Sequence, residues 1–255
     1  MFPIRDINPT RAKPVVNWVI IAVNIAVFVL VQPWSFKSSM SPRDADEQTE
    51  FLYSHAMVPC EVTHLEPLSP KLVADCGGEP VGPATSNPFF PGKHVLFAVL
   101  SSMFFHANIL HLAGNMFFLW MFGDNVEDRL GRSAYAIFYL VGGIAAAIGH
   151  VLSDAGSIVP VVGASGAIAA VMGAYLVQSP RARLTTVVLP LFFLPFRIPA
   201  WIFLVEWLVL QFFTSADSGV AWVAHVAGFA AGAVLALWLR RVDRVARSGY
   251  VPVER

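Results

Sequence analysis

Charge is what this sequence has least of. Asp, Glu, Lys and Arg make up only 13% of its 255 residues, against 56% hydrophobic ones. A soluble domain of this size carries nearly twice that charged fraction. The mean hydropathy is +0.62, and the apolar residues fall in unbroken blocks rather than amphipathic stripes. That pattern excludes an ordinary soluble globule and indicates a polytopic membrane protein. Cysteine is nearly absent. The two present, Cys60 and Cys76, allow at most one disulfide, closing about 15 residues and contributing ~3 kcal/mol in the chain-entropy model. Met1–Val15 lacks an apolar core, so no cleavable signal peptide is expected there, and no Arg/Ser-rich transit peptide either. There is no H-E-x-x-H zinc motif. Met121-Phe122-Gly123-Asp124 lacks the first glycine of G-x-G-D. No internal repeat or pair of broken helices suggests a transporter.

What is there reads as six apolar blocks in one domain: Val15–Val31, Val95–Phe122, Ala134–Leu152, Ser165–Val177, Ala200–Phe213 and Val220–Leu239. The expected fold is an all-α polytopic bundle of six transmembrane helices. A long first loop, 32–93, is polar and contains both cysteines. The second block is expected to stop at Gly123-Asp124-Asn125-Val126-Glu127-Asp128-Arg129. Leu184–Phe196, interrupted by Pro190 and Pro195, reads as interfacial or packed against protein. Thirteen of the 17 Lys and Arg fall in segment 1–14, in the loops near 123–133 and 178–199, and in the tail 240–255. The remaining four, Lys37, Arg43, Lys71 and Lys93, share the long loop. By the positive-inside rule both termini are cytoplasmic and the 32–93 loop extracytoplasmic.

The fourth block begins Gly163-Ala164-Ser165-Gly166-Ala167. From Ser165 to Gln178 a helix spans about 21 Å, against a hydrocarbon core of ~30 Å. A helix that ends at the cytoplasmic face therefore starts ~9 Å below the opposite one. Backbone at that depth needs protein or a water-filled cavity beside it, so Ser165 is expected on the floor of a wet cavity. Helix N-termini favour developing negative charge. On the sixth block, His225 lies about 8 Å from the same outer end. Ser165, Ala169 and Gly173 form one small-residue stripe, and Gly228 and Gly232 share the face of His225, which permits close helix approach. On the second block His111 and Asn115 are four apart and project from one face. They are chemically suited to receive an oxyanion, together with the Ser165 N–H.

Each element alone has a simpler reading. The serine could be a cap, the Gly-Ser string a common membrane-helix composition, and His111 with Asn115 interhelical polar glue. Metal ligation by His106 and His111 would need a third ligand. Glu206 could face a substrate gate or bond a neighbouring helix. His150 reads as interfacial; His55, His64 and His94 carry no signal. Together, Ser165, His225, His111 and Asn115 at related depths indicate nucleophilic catalysis.

At these residues the sequence resembles the rhomboid family. Ser102-Met103-Phe104-Phe105-His106 through His111 and Asn115, with Phe122–Gly131, resembles its second span and following loop. Gly163–Ala167 resembles its nucleophile motif, and Ala224-His225-Val226-Ala227-Gly228-Phe229-Ala230-Ala231-Gly232 its histidine motif. Pro3-Ile4-Arg5-Asp6-Ile7-Asn8-Pro9 is similar to the start of many bacterial members. The resemblance implies a six-helix membrane fold and a Ser165–His225 dyad without a third acid, with His111 and Asn115 as oxyanion donors. It implies an intramembrane serine endopeptidase, with neither cofactor nor metal. The substrates would be single-pass membrane proteins cut in or near their membrane segment, in a plasma membrane, with no nucleic acid involved. The second span would start near Asn108. Two features depart from the family: Ala169 stands where many members carry an aromatic, and the Trp-Arg pair of some first loops is missing. The alternative is a non-catalytic rhomboid-like binder or chaperone of membrane helices. Such a relative is expected to lack the nucleophile or the base, and this chain has both.

Overall fold

In the computed structural model, apolar helices stand where the apolar blocks predict them. The described residues are 1–33, 42–79, 83, 85–188, 192–215 and 219–248; Lys37, Pro190 and Arg255 lie outside them. The helices are α1 (Val15–Leu30), α2 (Pro42–His55), α3 (Pro59–His64), α4 (Pro70–Asp75), α5 (Val95–Ser101), α6 (Ile109–Leu130), α7 (Arg132–Ser153), α8 (Ser165–Gln178), α9 (Ala200–Gln211) and α10 (Trp222–Ser248). Among the described residues, α7 and the 222–241 part of α10 are long and apolar enough to cross a bilayer. The bent pair of 95–104 and α6 makes a third if read as one span; α1, α8 and α9 are shorter apolar helices.

The chain is not all-α. Strands β1 (Phe2–Asp6), β2 (Arg183–Val188) and β3 (Phe192–Pro199) form an antiparallel sheet in the order β1-β2-β3. Thr186 faces Pro3 on one side and Phe196 on the other. The run Thr185-Thr186-Val187-Val188 is β-branched throughout, a composition that suits a pleated surface better than a helix. Leu184–Phe196, expected to be interfacial or protein-packed, is thus largely a hairpin whose first strand takes the N-terminus as partner.

The polar stretch Gly123–Arg129 is not a loop. Helix α6 continues through it to Leu130 and turns into α7 at Gly131, whose φ is +80°. Asn125 and Glu127 point inward and are bonded, while Arg129 is exposed. Glu127 Oε1 and Oε2 accept the N–H groups of Val16 and Asn17, at 3.1 and 2.7 Å, capping α1 from another helix. Asn125 receives Asn8 Nδ2 and donates to Asp6 Oδ2, which also accepts the Tyr175 hydroxyl. Burial raises the Asp6 carboxyl to about 6, against the opposing Tyr175 bond. Because Glu127 satisfies two otherwise orphaned first-turn donors, Glu127→Ala is expected to cost about 2–4 kcal/mol. Thermal unfolding in detergent should show this, and Glu127→Gln, which retains one acceptor, should recover part of it. An unchanged Tm for Glu127→Ala would refute the capping role.

The 32–93 segment is more than a loop. Its described part folds into α2, α3 and α4, with Cys60 and Cys76 joined in a disulfide. An ion pair between Glu61 and Lys93, each side chain only 1% exposed, ties its far end to α3. Burial pushes the Lys93 ammonium down from its ordinary value, and Glu61 opposes that shift. Likewise, the tail expected from residue 240 onward continues as helix to Ser248.

Helix α8 is the centre of the bundle, buried without interruption from Gly166 to Tyr175. It meets α10 backbone to backbone. A Cβ on Gly228 would overlap Gly166 O, one on Gly232 would overlap Ala170 O, and one on Gly173 would overlap Phe229 O. The small-residue stripes thus bring α8 and α10 together as expected.

Candidate active site

Three bonds deliver the chain to Ser165. Cys60 N–H donates to Ser157 O, Val161 N–H to Met57 O, and Gly163 N–H to Ser102 O, at 2.9, 2.8 and 2.9 Å. Ser102 Oγ accepts Met57 N–H and donates to Ala98 O. The loop before the serine is therefore braced by α5 and by the disulfide-bearing segment. Helix α8 then starts on Ser165 itself. The preceding residue, Ala164, offers no side-chain cap, so among the described residues no side chain satisfies the first N–H groups of α8. In contrast, α6 is capped by Asn108, whose side chain accepts His111 N–H at 2.9 Å.

Ser165 Oγ and His225 Nε2 are 2.8 Å apart, the contact a nucleophile and its base require. His225 Nδ1 bonds Gln211 Oε1 at 2.7 Å, and the Trp207 ring lies against the imidazole with centroids 5.9 Å apart. His111 Nδ1 accepts Ala107 N–H at 3.4 Å, which leaves the proton on Nε2. The edge of the ring that carries Nε2 lies near the serine: a Cβ at Gly163 would lie 2.9 Å from Nε2 and 3.5 Å from Ser165 Oγ. Gly163 has φ +125°, so its lack of a side chain both permits the turn and keeps this gap open. Asn115 is 7% exposed, and its Nδ2 has no partner among the described residues. A buried donor left free calls for an explanation, and a transient anion supplies one. Beside Ser165 lies a cavity of about 40 Å³, lined mostly by glycines and alanines such as Gly143, Ala146 and Ala224, together with Met57, Met103 and Val161.

The structure thus brings Ser165, His225 and His111 together and leaves Asn115 poised on the same face of α6 as His111. His106 is fully buried, its ring edge-on to His111 at 5.2 Å. Glu206 accepts the Met1 ammonium at 2.8 Å. His150 Nδ1 is buried and has no partner among the described residues. Among the described residues one group of potential metal ligands converges, Cys60, His64 and Cys76, and there the two sulfurs are bonded to each other. Sequence reasoning missed Gln211, Trp207 and Ser102. For Gln211 a signal existed, since a glutamine near the end of an apolar run is unusual enough to need a partner.

A hydroxyl on an imidazole, at a free helix N-terminus inside a bundle of apolar helices, is the constellation of nucleophilic acyl transfer. The chain belongs to the rhomboid family: the model of the rhomboid domain matches residues 93–242, a range that holds Ser165, His225, His111 and Asn115. It is similar to the human "Presenilin-associated rhomboid-like protein, mitochondrial", 34% identical over 113 residues, covering 42% of this chain and 28% of that protein. The mouse protein of the same name is 36% identical over 110 residues, with 42% and 29% covered. "Rhomboid protease GlpG" of Yersinia pestis (strain Pestoides F) is 28% identical over 139 residues, 54% of this chain and 46% of that protein. The matched regions span less than half the length of these curated relatives.

Proposed function

We propose that this chain is an intramembrane serine endopeptidase with six spans and both termini cytoplasmic, as the distribution of Lys and Arg favours. The observation that carries the reading is the 2.8 Å contact between Ser165 Oγ and His225 Nε2. His225 Nε2 takes the hydroxyl proton as Oγ bonds to the carbonyl carbon of the scissile peptide. The carbonyl oxygen becomes an oxyanion facing the donors Ser165 N–H, His111 Nε2–H and Asn115 Nδ2. Collapse breaks the C–N bond, and the His225 imidazolium passes its proton to the leaving amine. A water molecule, deprotonated by His225, then attacks the acyl ester and releases the acid, returning the proton to Ser165. The Gly- and Ala-lined cavity beside Ser165 suits a small side chain next to the cut bond. The substrates are single-pass membrane proteins, and the setting is a bacterial plasma membrane, which the resemblance of the Pro3–Pro9 segment to bacterial members supports.

The test is labelling by a fluorophosphonate. Wild type should react, Ser165→Ala should not, and His225→Ala should react far more slowly. No labelling of the wild-type protein, or equal labelling of all three, would favour a non-catalytic binder of membrane helices. Asn115→Ala should lower kcat by about 10²-fold with little change in KM, since its donor acts on charge that exists only in the transition state. Steady-state kinetics on a reconstituted single-span substrate would show this. A rise in KM alone would assign Asn115 to substrate binding instead.

A further inference from the structure

His225 is held from two sides by α9. Neither contact follows from the dyad itself. Gln211 Nε2 donates to Trp207 O at 3.1 Å, which fixes which end of the amide faces the imidazole. Its Oε1 then meets His225 Nδ1 at 2.7 Å. A carbonyl oxygen can only accept, so Nδ1 must carry the proton. Nε2 is thereby left as the acceptor for Ser165 Oγ–H at 2.8 Å. The order runs from the Trp207 carbonyl through the Gln211 amide and the His225 ring to the Ser165 hydroxyl, and each donor has one acceptor. The opposite tautomer would set Nε2–H against the hydroxyl and leave nothing to receive its proton.

The Trp207 ring completes the restraint. It stands 5.9 Å from the His225 ring at 37° and 6.1 Å from Phe229 at 27°. His225 and Phe229 are one turn apart on α10, so one indole covers both and limits rotation of the imidazole. Ala169, the residue four after Ser165, is fully buried and carries no ring to do this. Gln211 itself is 8% exposed, sheltered enough that its bond to Nδ1 competes little with water.

We infer that Gln211 is a positioning residue for His225, setting its reactive tautomer through Nδ1, with the Trp207 ring fixing the plane of the imidazole. The inference rests on the proteolytic reading above. The Gln211 acceptor is neutral, so its contribution is orientation and tautomer choice rather than stabilisation of the imidazolium by full charge. That distinguishes it from the buried carboxylate that holds the histidine in a Ser-His-Asp triad.

The experiment uses the full chain in proteoliposomes with a single-span substrate. It compares wild type, Gln211→Leu, Gln211→Glu and Ser165→Ala. Gln211→Leu should lower kcat about tenfold, the effect of one hydrogen bond, with KM changed less than about twofold and the acid limb of the pH profile moved to lower pH. Gln211→Glu is nearly isosteric, so it serves even if Gln211→Leu folds poorly. It should keep a wild-type-like rate at high pH, with the acid limb displaced upward by about one unit, because a carboxylate beside Nδ1 favours the imidazolium. His111 on α6 and His150 on α7 are the other titratable groups acting on His225, and both are retained in every variant. Wild-type rates and acid limbs in both Gln211 variants would overturn the inference while leaving the protease reading intact. So would parallel loss of activity and thermal stability in both, with no displaced limb. Equal cleavage by wild type and Ser165→Ala would remove the protease reading, and this inference with it.

Discussion

Ser165→Ala is expected to reduce cleavage of a reconstituted single-span substrate to the uncatalysed background, a loss of more than about 10⁴-fold. The Ser165 hydroxyl is the group bonded to His225 Nε2, and the methyl of alanine offers neither a nucleophilic oxygen nor a proton to transfer. Binding and the oxyanion donors survive the substitution, so the variant should still capture substrate without turning it over. Stability should change little, because Ser165 is half-buried and caps nothing. His225→Ala should fall by a similar factor, and the double variant should be scarcely worse than either single one, since the two side chains act as a unit. Strict additivity of the two losses would show that they do not.

Gly232→Val is expected to cost about 3 kcal/mol or more and to abolish activity with it. A Cβ at Gly232 would overlap the carbonyl of Ala170. Backbone inside a helix cannot swing aside as a flexible side chain can, so the cost lies at the top of the range for overpacked cores. The only relief is for α10 to move off α8. His225 lies two turns away on the same helix, and a displacement of ~1 Å at a catalytic contact costs about 10²-fold. Thermal unfolding and fluorophosphonate labelling should therefore fail together. Ala230→Val, on an exposed face of α10, is the control and should change stability by less than about 0.5 kcal/mol. Wild-type behaviour of Gly232→Val would mean that the two helices do not meet through their backbones.

The helices were legible because their causes are local. A run of apolar residues whose backbone bonds close within the segment announces its own limits. The block Ser165–Val177 is the helix Ser165–Gln178, and Val15–Val31 is Val15–Leu30. Where a partner lies far along the chain, the same reading fails. Arg183–Val188 is a strand because Phe2–Asp6 lies beside it, about 180 residues away in sequence. Gly123–Arg129 reads as a loop by composition, yet it is helix because the first turn of α1 accepts Glu127 as its cap. The polar 32–93 segment hides its helices for a similar reason: their packing depends on the Cys60–Cys76 disulfide and on a buried Glu61–Lys93 pair.

The candidate site divides along the same line. The reactive residue types and their placement on helices are written in the residues alone: Ser165 at a helix start, His111 and Asn115 one turn apart, and His225 beside glycines that admit a neighbour. Which proton sits where follows from packing between distant elements. Gln211 meets His225 because α9 crosses α10 at that level, and Gly163 leaves the gap before His111 because its backbone turns with positive φ. A helix is the sum of bonds four residues apart, whereas a tautomer is set by whichever distant atom the packing brings to the other side of the ring.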